Sequence, residues 1–201
     1  MNLNLRIPLN TNLEQLASLL ALQAGFAQVC NAIAPIVQQT RVWNRVALHH
    51  LTYRSLRERF PAMGSQMVCN AIYSVSRTCR LVFQHPQSPF SLTRLGDRPL
   101  PLLQFTDTCP VYFDRHTLSV KDGQLSMYTL DGRMRFALAL QAADEANFKA
   151  MKLREIVLSR GPSNGFELSF SLSDEAYGAA PESLQSESPE IPEYVMVEEA
   201  V

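Results

Sequence analysis

Between Arg41 and Arg98 the chain carries nine arginines against two acids, Glu58 and Asp97, a local charge of +7. Over the whole sequence arginine outnumbers lysine fifteen to three. A guanidinium is planar and permanently charged. It forks onto a phosphate through two N–H groups and stacks its flat face on a base, which an ammonium cannot reproduce. At 100° per residue, Trp43, His50, Arg54 and Arg57 fall within one narrow helical sector and set charge beside flat rings. Gln66, Asn70, Tyr73, Arg77 and Arg80 form a second such face. This combination suits a nucleic-acid backbone and unpaired bases. The expected contacts are Arg41, Arg45, Arg54, Arg57, Arg77 and Arg80 on phosphates, with Trp43, His50 and Tyr73 stacking and Gln66 and Asn70 beside them. The competing reading is a solvated helix surface with Trp43 and Tyr73 packed at a domain junction.

Other chemistries lack their residues. The sequence has no Gly-rich phosphate loop, no H-E-x-x-H and no G-x-S-x-G. A two-metal nuclease needs several carboxylates converging on ions about 4 Å apart. Asp97, Asp107, Asp114, Asp122 and Asp131 sit instead beside turns or in a Pro-rich connector, where turn chemistry accounts for them. His49 lies on an apolar stripe and reads as a hydrogen-bonded core residue. The expectation is no catalytic residue, no metal site and no cofactor.

The elements that must position these residues follow from periodicity. Asn4–Pro8 reads as a strand, and Thr11-Asn12-Leu13-Glu14 as a capping box opening a helix. That helix carries Leu19, Leu22, Phe26, Val29, Ile33 and Ile36 on one stripe, until Pro35 kinks or ends it. A second helix is expected from about Thr40 to Phe60, with Val42, Val46, His49, Tyr53, Leu56 and Phe60 facing the core. A third is expected from Gln66 to about Phe83, its seam Val68, Ile72, Val75, Cys79 and Val82. Residues 84–110 hold five prolines and read as an irregular connector. Beyond it the period becomes two, giving strands at 111–114, 117–120, 124–130, 133–140, 153–159 and 166–172 around a short helix at 144–151.

The charge is unevenly spread. The 201 residues sum to −1, yet residues 171–201 hold eight acids and no Lys or Arg, which leaves residues 1–170 at +7. A basic body with an acidic tail points towards nucleic acid. From Ser173 onward Pro, Ser and Glu dominate, so the tail is expected to be disordered. It is expected to lie over the basic face as an electrostatic competitor for nucleic acid; the rival reading is that Tyr194-Val195-Met196-Val197 docks as an added strand on a partner's sheet edge. Cys30, Cys69, Cys79 and Cys109 form no C-x-x-C pair and read as reduced core thiols of a cytoplasmic protein. The uncharged run from Gln15 to Thr40 is interrupted by polar side chains and Pro35, and is expected to be a buried helix rather than a membrane span.

The order of segments resembles the N-terminal half of TnpB (OrfB-type) accessory transposases, RNA-guided nucleases related to type V CRISPR effectors. The resemblance rests on Leu5-Arg6-Ile7-Pro8, Asn12-Leu13-Glu14-Gln15, Cys30-Asn31, Tyr53-Arg54-Ser55-Leu56-Arg57 and Phe60-Pro61. It continues through Ser65-Gln66-Met67-Val68-Cys69-Asn70-Ala71-Ile72 and the hairpin Ser126–Arg133 to Phe166-Glu167-Leu168-Ser169-Phe170. Family members continue into a RuvC-like nuclease domain with a zinc ribbon. Here the chain runs instead into Ser173–Gly178 and the acidic tail. The resemblance implies a guide-gripping half without catalytic aspartates: a wedge-like β-barrel and recognition helices.

The expected fold is α+β. A small β-barrel or curled antiparallel sheet occupies 1–11 and 110–172, with a helical insertion at 12–83, a connector at 84–109 and a disordered acidic tail at 173–201. The expected function is a transposon-derived, truncated, nuclease-inactive nucleic-acid-binding module that prefers structured RNA to DNA, with no membrane partner. Alternatives are a protein–protein adaptor, the recognition subunit of a split nuclease whose RuvC-like half is a separate chain, or a decaying fragment.

Overall fold

The computed structural model describes residues 2–174 and 191–200. It is an α+β fold with β1 (Asn2–Pro8), α1 (Leu13–Thr40), α2 (Arg45–Arg59), α3 (Ser65–Cys79), α4 (Leu92–Leu95) and β2 (Leu102–Phe105) in the first half. Then come β3 (Val111–Phe113), β4 (Leu118–Lys121), β5 (Gln124–Thr129), β6 (Gly132–Ala137), α5 (Ala142–Ala150), β7 (Lys152–Arg160), β8 (Phe166–Ser173) and β9 (Val195–Glu198). Two compact units divide the chain. One holds Met1–Ala24 and Pro110–Ala179, the other Gly25–Cys109 and Ala180–Val201.

In the first unit, β1, β8, β7 and β3 form an antiparallel sheet in that order, and β4, β5 and β6 form another. Period-two alternation explains the larger sheet. Phe166, Leu168, Phe170 and Leu172 of β8 are buried together with Ile156 and Leu158 of β7. The register sets Phe170 opposite Leu5 on one side and Ile156 on the other. Tight turns fix the smaller sheet: Asp122 and Gly123 both take positive φ (52° and 71°) between β4 and β5, the geometry of a two-residue hairpin. The sheets are curled pieces rather than the expected barrel. Closure requires every strand to be paired on both sides, yet β1, β3, β4 and β6 each end a sheet. After β6 the chain enters α5 instead of pairing onward.

Helix α1 opens one residue later than the sequence suggested. Asn12, not Thr11, is the cap: its Oδ1 accepts from Gln15 N (2.8 Å) while Gln15 Oε1 accepts from Asn12 N (3.0 Å). The helix runs through Pro35 to Thr40. It is long and apolar enough to cross a membrane, and half of its most apolar 18-residue stretch is buried. Leu19, Leu22, Phe26, Val29 and Ile33 are all fully buried.

The second unit is built around α3. Val68, Ile72, Val75, Cys79 and Val82 are buried as the periodicity required, and so are Met67, Ala71, Ser74, Ser76 and Thr78, which cover most of the remaining circumference. After Cys79 the helix widens into a π-turn, Arg80–Gln84, closed by His85 N donating to Arg80 O (3.1 Å). Helix α2 starts at Arg45, later than expected, because Asn44 caps it by accepting from Val46 N and Ala47 N. Its buried stripe is Leu48, Thr52 and Leu56. The expected stripe is thereby rotated, and Val46 is 64% exposed.

The acidic tail corrects a second expectation. Residues 175–190 lie outside the described residues, but 191–200 are ordered. Their strand β9 pairs antiparallel with β2, Leu103 facing Val197 and Phe105 facing Val195. Thr106 N donates to Tyr194 O (2.9 Å), and Gln104 Nε2 donates to Glu198 Oε2 (2.6 Å). The strand-forming segment read from the sequence is therefore a strand, and its sheet edge belongs to its own chain.

Candidate nucleic-acid interface

The expected contact arginines of the second unit stand before α2, on α2, on α3 and at the π-turn that follows it. Arg41 stands between α1 and α2 in a left-handed conformation (φ 55°), and its Nη1 donates to Arg98 O (3.3 Å). Arg45 opens α2, with its Cζ 5.2 Å from the centroid of the Tyr73 ring on α3, a cation–π contact. His50, Arg54 and Arg57 share the outward side of α2, as the helical sector required. Arg54 is almost wholly exposed and pairs with Glu58 at 3.7 Å, an exposed pair that water and salt weaken. Arg57 is half-buried and its Nη1 donates to Met63 O. His50 meets His49 edge-on at 5.9 Å, and His49 stacks on Tyr53 at 4.6 Å. His49 is thus a half-buried stacking partner rather than a core residue.

Two expected residues are placed differently. Trp43 lies before α2, outside the helical sector assigned to it. Its ring is tilted against Phe83 at 5.4 Å, and the residue is only 8% exposed. A base cannot lie on a ring covered this way. Asn70 is buried (6% exposed), with Nδ2 directed at Met67 Sδ (3.7 Å). Asn70 is covered because α3 is enclosed nearly all round, whereas Trp43 is covered through its contact with Phe83.

The rest converge. Tyr73, Arg77 and Arg80 remain partly exposed, and Arg77 Nη1 donates to Tyr73 Oη (3.4 Å). A concavity of about 340 Å³ brings Arg45, Tyr73 and Arg80 together with the edge of Trp43. Among the described residues Asn44, Ser76 and Gln84 complete its lining, and no carboxylate does. Among the described residues neither Arg45 nor Arg80 forms an ion pair, and Arg80 Nε is buried without a hydrogen-bond partner. Gln66 lines a neighbouring hollow of similar volume with Arg45, His49 and Cys69.

Sequence reasoning missed Asn44, Ser76 and Gln84. Asn44 is a strong capping residue whose signal was lost by starting α2 too early. Gln84 joins the site because the π-turn adds a residue to that turn of helix, which a regular 3.6-residue period does not anticipate.

Elsewhere chemistry is sparse. Among the described residues no three His, Cys, Asp or Glu side chains converge as a metal-binding group. All four cysteines are thiols outside any disulfide, and Cys30, Cys79 and Cys109 are buried. No protein-family model matches this chain, and no curated protein matches it.

Proposed function

We propose that the chain is a non-catalytic nucleic-acid-binding module that works in the cytoplasm and takes structured RNA in preference to DNA. The observation that carries this reading is the concavity where Arg45 and Arg80, both without an acidic partner among the described residues, meet Tyr73 and no carboxylate. Guanidinium groups left without counter-charge beside an aromatic ring are a site for an anion with a flat body, and a nucleotide supplies both. The +7 of residues 41–98 extends that attraction along α2. The resemblance to TnpB-type proteins agrees in kind, and in that setting a separate RuvC-like nuclease chain is the candidate protein partner.

The test is salt dependence. Each phosphate contact releases counterions, so log K against log[salt] falls with a slope of about −0.7 per contact on a single strand. Changing Arg45, Arg54, Arg77 and Arg80 together to Ala flattens that slope if the reading holds. Binding that ignores both salt and these four residues refutes it.

The adaptor reading has one observation of its own. Val46 (64%) and Leu51 (51%) are exposed on α2. Val46→Asp with Leu51→Asp would abolish capture of a protein partner while leaving salt-dependent RNA binding in place.

A further inference from the structure

We propose that the concavity bounded by Arg45, Tyr73 and Arg80 holds one splayed-out nucleotide of a single strand, its base laid on the Arg45 guanidinium and its phosphate drawn to Arg80. The inference rests on the nucleic-acid reading above and goes further, because it separates the stacking group from the phosphate group and limits the site to one nucleotide.

The stacking group follows from which flat surfaces are free. Trp43 presents an edge, since its face is set against Phe83 and only 8% of the residue is exposed. Tyr73 has Arg45 over its ring at 5.2 Å, and its hydroxyl accepts from Arg77 at 3.4 Å. Arg45 itself is exposed. One face of its guanidinium is therefore seated on a fixed ring, and the other is open. Arginine planes serve as stacking platforms for unpaired bases, and a guanidinium already held by an aromatic ring loses less freedom when a base arrives.

The phosphate group follows from an unmet donor. Arg80 opens the π-turn, and its Nε is buried with no partner among the described residues. A buried charged donor left without an acceptor is costly, and in a folded protein it signals an ion or ligand that satisfies it. Among the described residues no acid lines the concavity to do so. A phosphate set against the guanidinium supplies the missing countercharge. Gln84, one π-turn on, and Ser76 (5% exposed) add polar groups for a base edge or sugar. π-Turns recur at functional sites because the extra residue re-aims side chains in this way.

Size sets the stoichiometry. About 340 Å³ lies at the lower end of ligand pockets, which run from roughly 300 to 1,000 Å³. One nucleotide fits such a space and a duplex does not.

Trp43 is the protein's only tryptophan and lines the concavity, so its emission reports occupancy. The full chain is titrated with a six-nucleotide single-stranded RNA, followed by Trp43 fluorescence and, with a labelled strand, by anisotropy. Adenosine and uridine monophosphate are titrated separately. The expected result is saturable Trp43 quenching by the hexamer at the concentration where anisotropy rises. Quenching should weaken at least tenfold in Arg80→Ala and in Arg45→Lys, which keeps the charge and removes the plane, but not in Arg115→Ala, an exposed arginine of the first unit. Anisotropy that rises with Trp43 silent overturns the pocket and leaves RNA binding standing. No binding by either signal overturns the parent reading as well. Equal quenching by the monophosphates overturns the strand-borne source, and full binding by Arg45→Lys overturns the stacking role.

Discussion

The ring of Tyr194 stacks on that of Phe105, with centroids 6.4 Å apart and planes inclined by 27°. This contact ties the end of the chain to β2. On one side of β2, Thr106 N and Oγ1 both donate to Tyr194 O. On the other, Phe105 N donates to Asn31 Oδ1 (2.7 Å) and Phe105 O accepts from Asn31 Nδ2 (2.9 Å). Backbone groups of successive strand residues point to opposite edges. One edge is therefore met by β9 and the other, at Phe105, by a single side chain of α1.

Alkaline pH should undock β9. Burial pushes the Tyr194 phenol above its ordinary value. A phenol is neutral when protonated, so the raised value means that docking favours the protonated ring. That contribution is complete below about pH 10, the value of a free tyrosine, and is lost as pH rises through the elevated value. Hydrogen exchange at Val195–Glu198 should therefore accelerate above pH 10 relative to β7 and β8, once corrected for intrinsic rates. Tyr194→Phe removes the titrating group but keeps the ring, and should flatten this relative change. Identical pH profiles for the two proteins would show that Tyr194 does not govern docking.

The strands of the first unit were legible because alternation and turn chemistry act locally. Asp122-Gly123 and the run from Phe166 to Leu172 specify their hairpins without help from distant residues. The seam of α3 was legible for a similar reason, since five apolar residues repeat at helical spacing. What could not be read depends on partners far along the chain. Prolines stand just before β2, and the partners that meet its two edges, Asn31 and β9, are distant in sequence. Segment 194–197 showed strand character, but periodicity does not name the edge that receives it. Trp43 and Asn70 failed as contact residues for a related reason: a helical wheel shows which side is polar, not which side another segment covers. All six arginines of the cluster, Arg41, Arg45, Arg54, Arg57, Arg77 and Arg80, remain at least partly exposed, because long cationic side chains resist full burial.

Thiol chemistry should divide the cysteines. Burial pushes the Cys30 and Cys79 thiols well above their ordinary value, and the thiolate is the reactive form. Cys109 is fully buried, whereas Cys69 is half-buried. With iodoacetamide at pH 8, Cys69 should be alkylated first, and the other three at the rate at which the second unit opens. Peptide mass spectrometry over time reads this order directly. Early modification of Cys79 would show that the α3 seam opens far more often than its packing implies.

Asn31 should be among the least replaceable polar residues in the second unit. Its amide both donates to and accepts from the backbone of Phe105, a residue that is 4% exposed. Asn31→Ala leaves one donor and one acceptor unmet. A buried group left unsatisfied costs about 1–3 kcal/mol; because Asn31 itself is exposed and water has access from that side, the expected loss lies at the low end, roughly 1–2 kcal/mol. Asn31→Asp separates the two bonds. The ionised carboxylate still accepts from Phe105 N but cannot donate, and it sets negative charge against Phe105 O. A carboxyl so placed is easier to protonate than in the unfolded chain, where its value is near 4. Its raised value means that its penalty shrinks as pH falls through the acid range, because the protonated form can donate again. Urea unfolding at pH 7 and pH 4.5 provides the measurement. Asn31→Asp should recover part of its deficit relative to wild type at the lower pH, and Asn31→Ala should not. Equal stability of all three proteins at pH 7 would show that β2 is held by β9 alone.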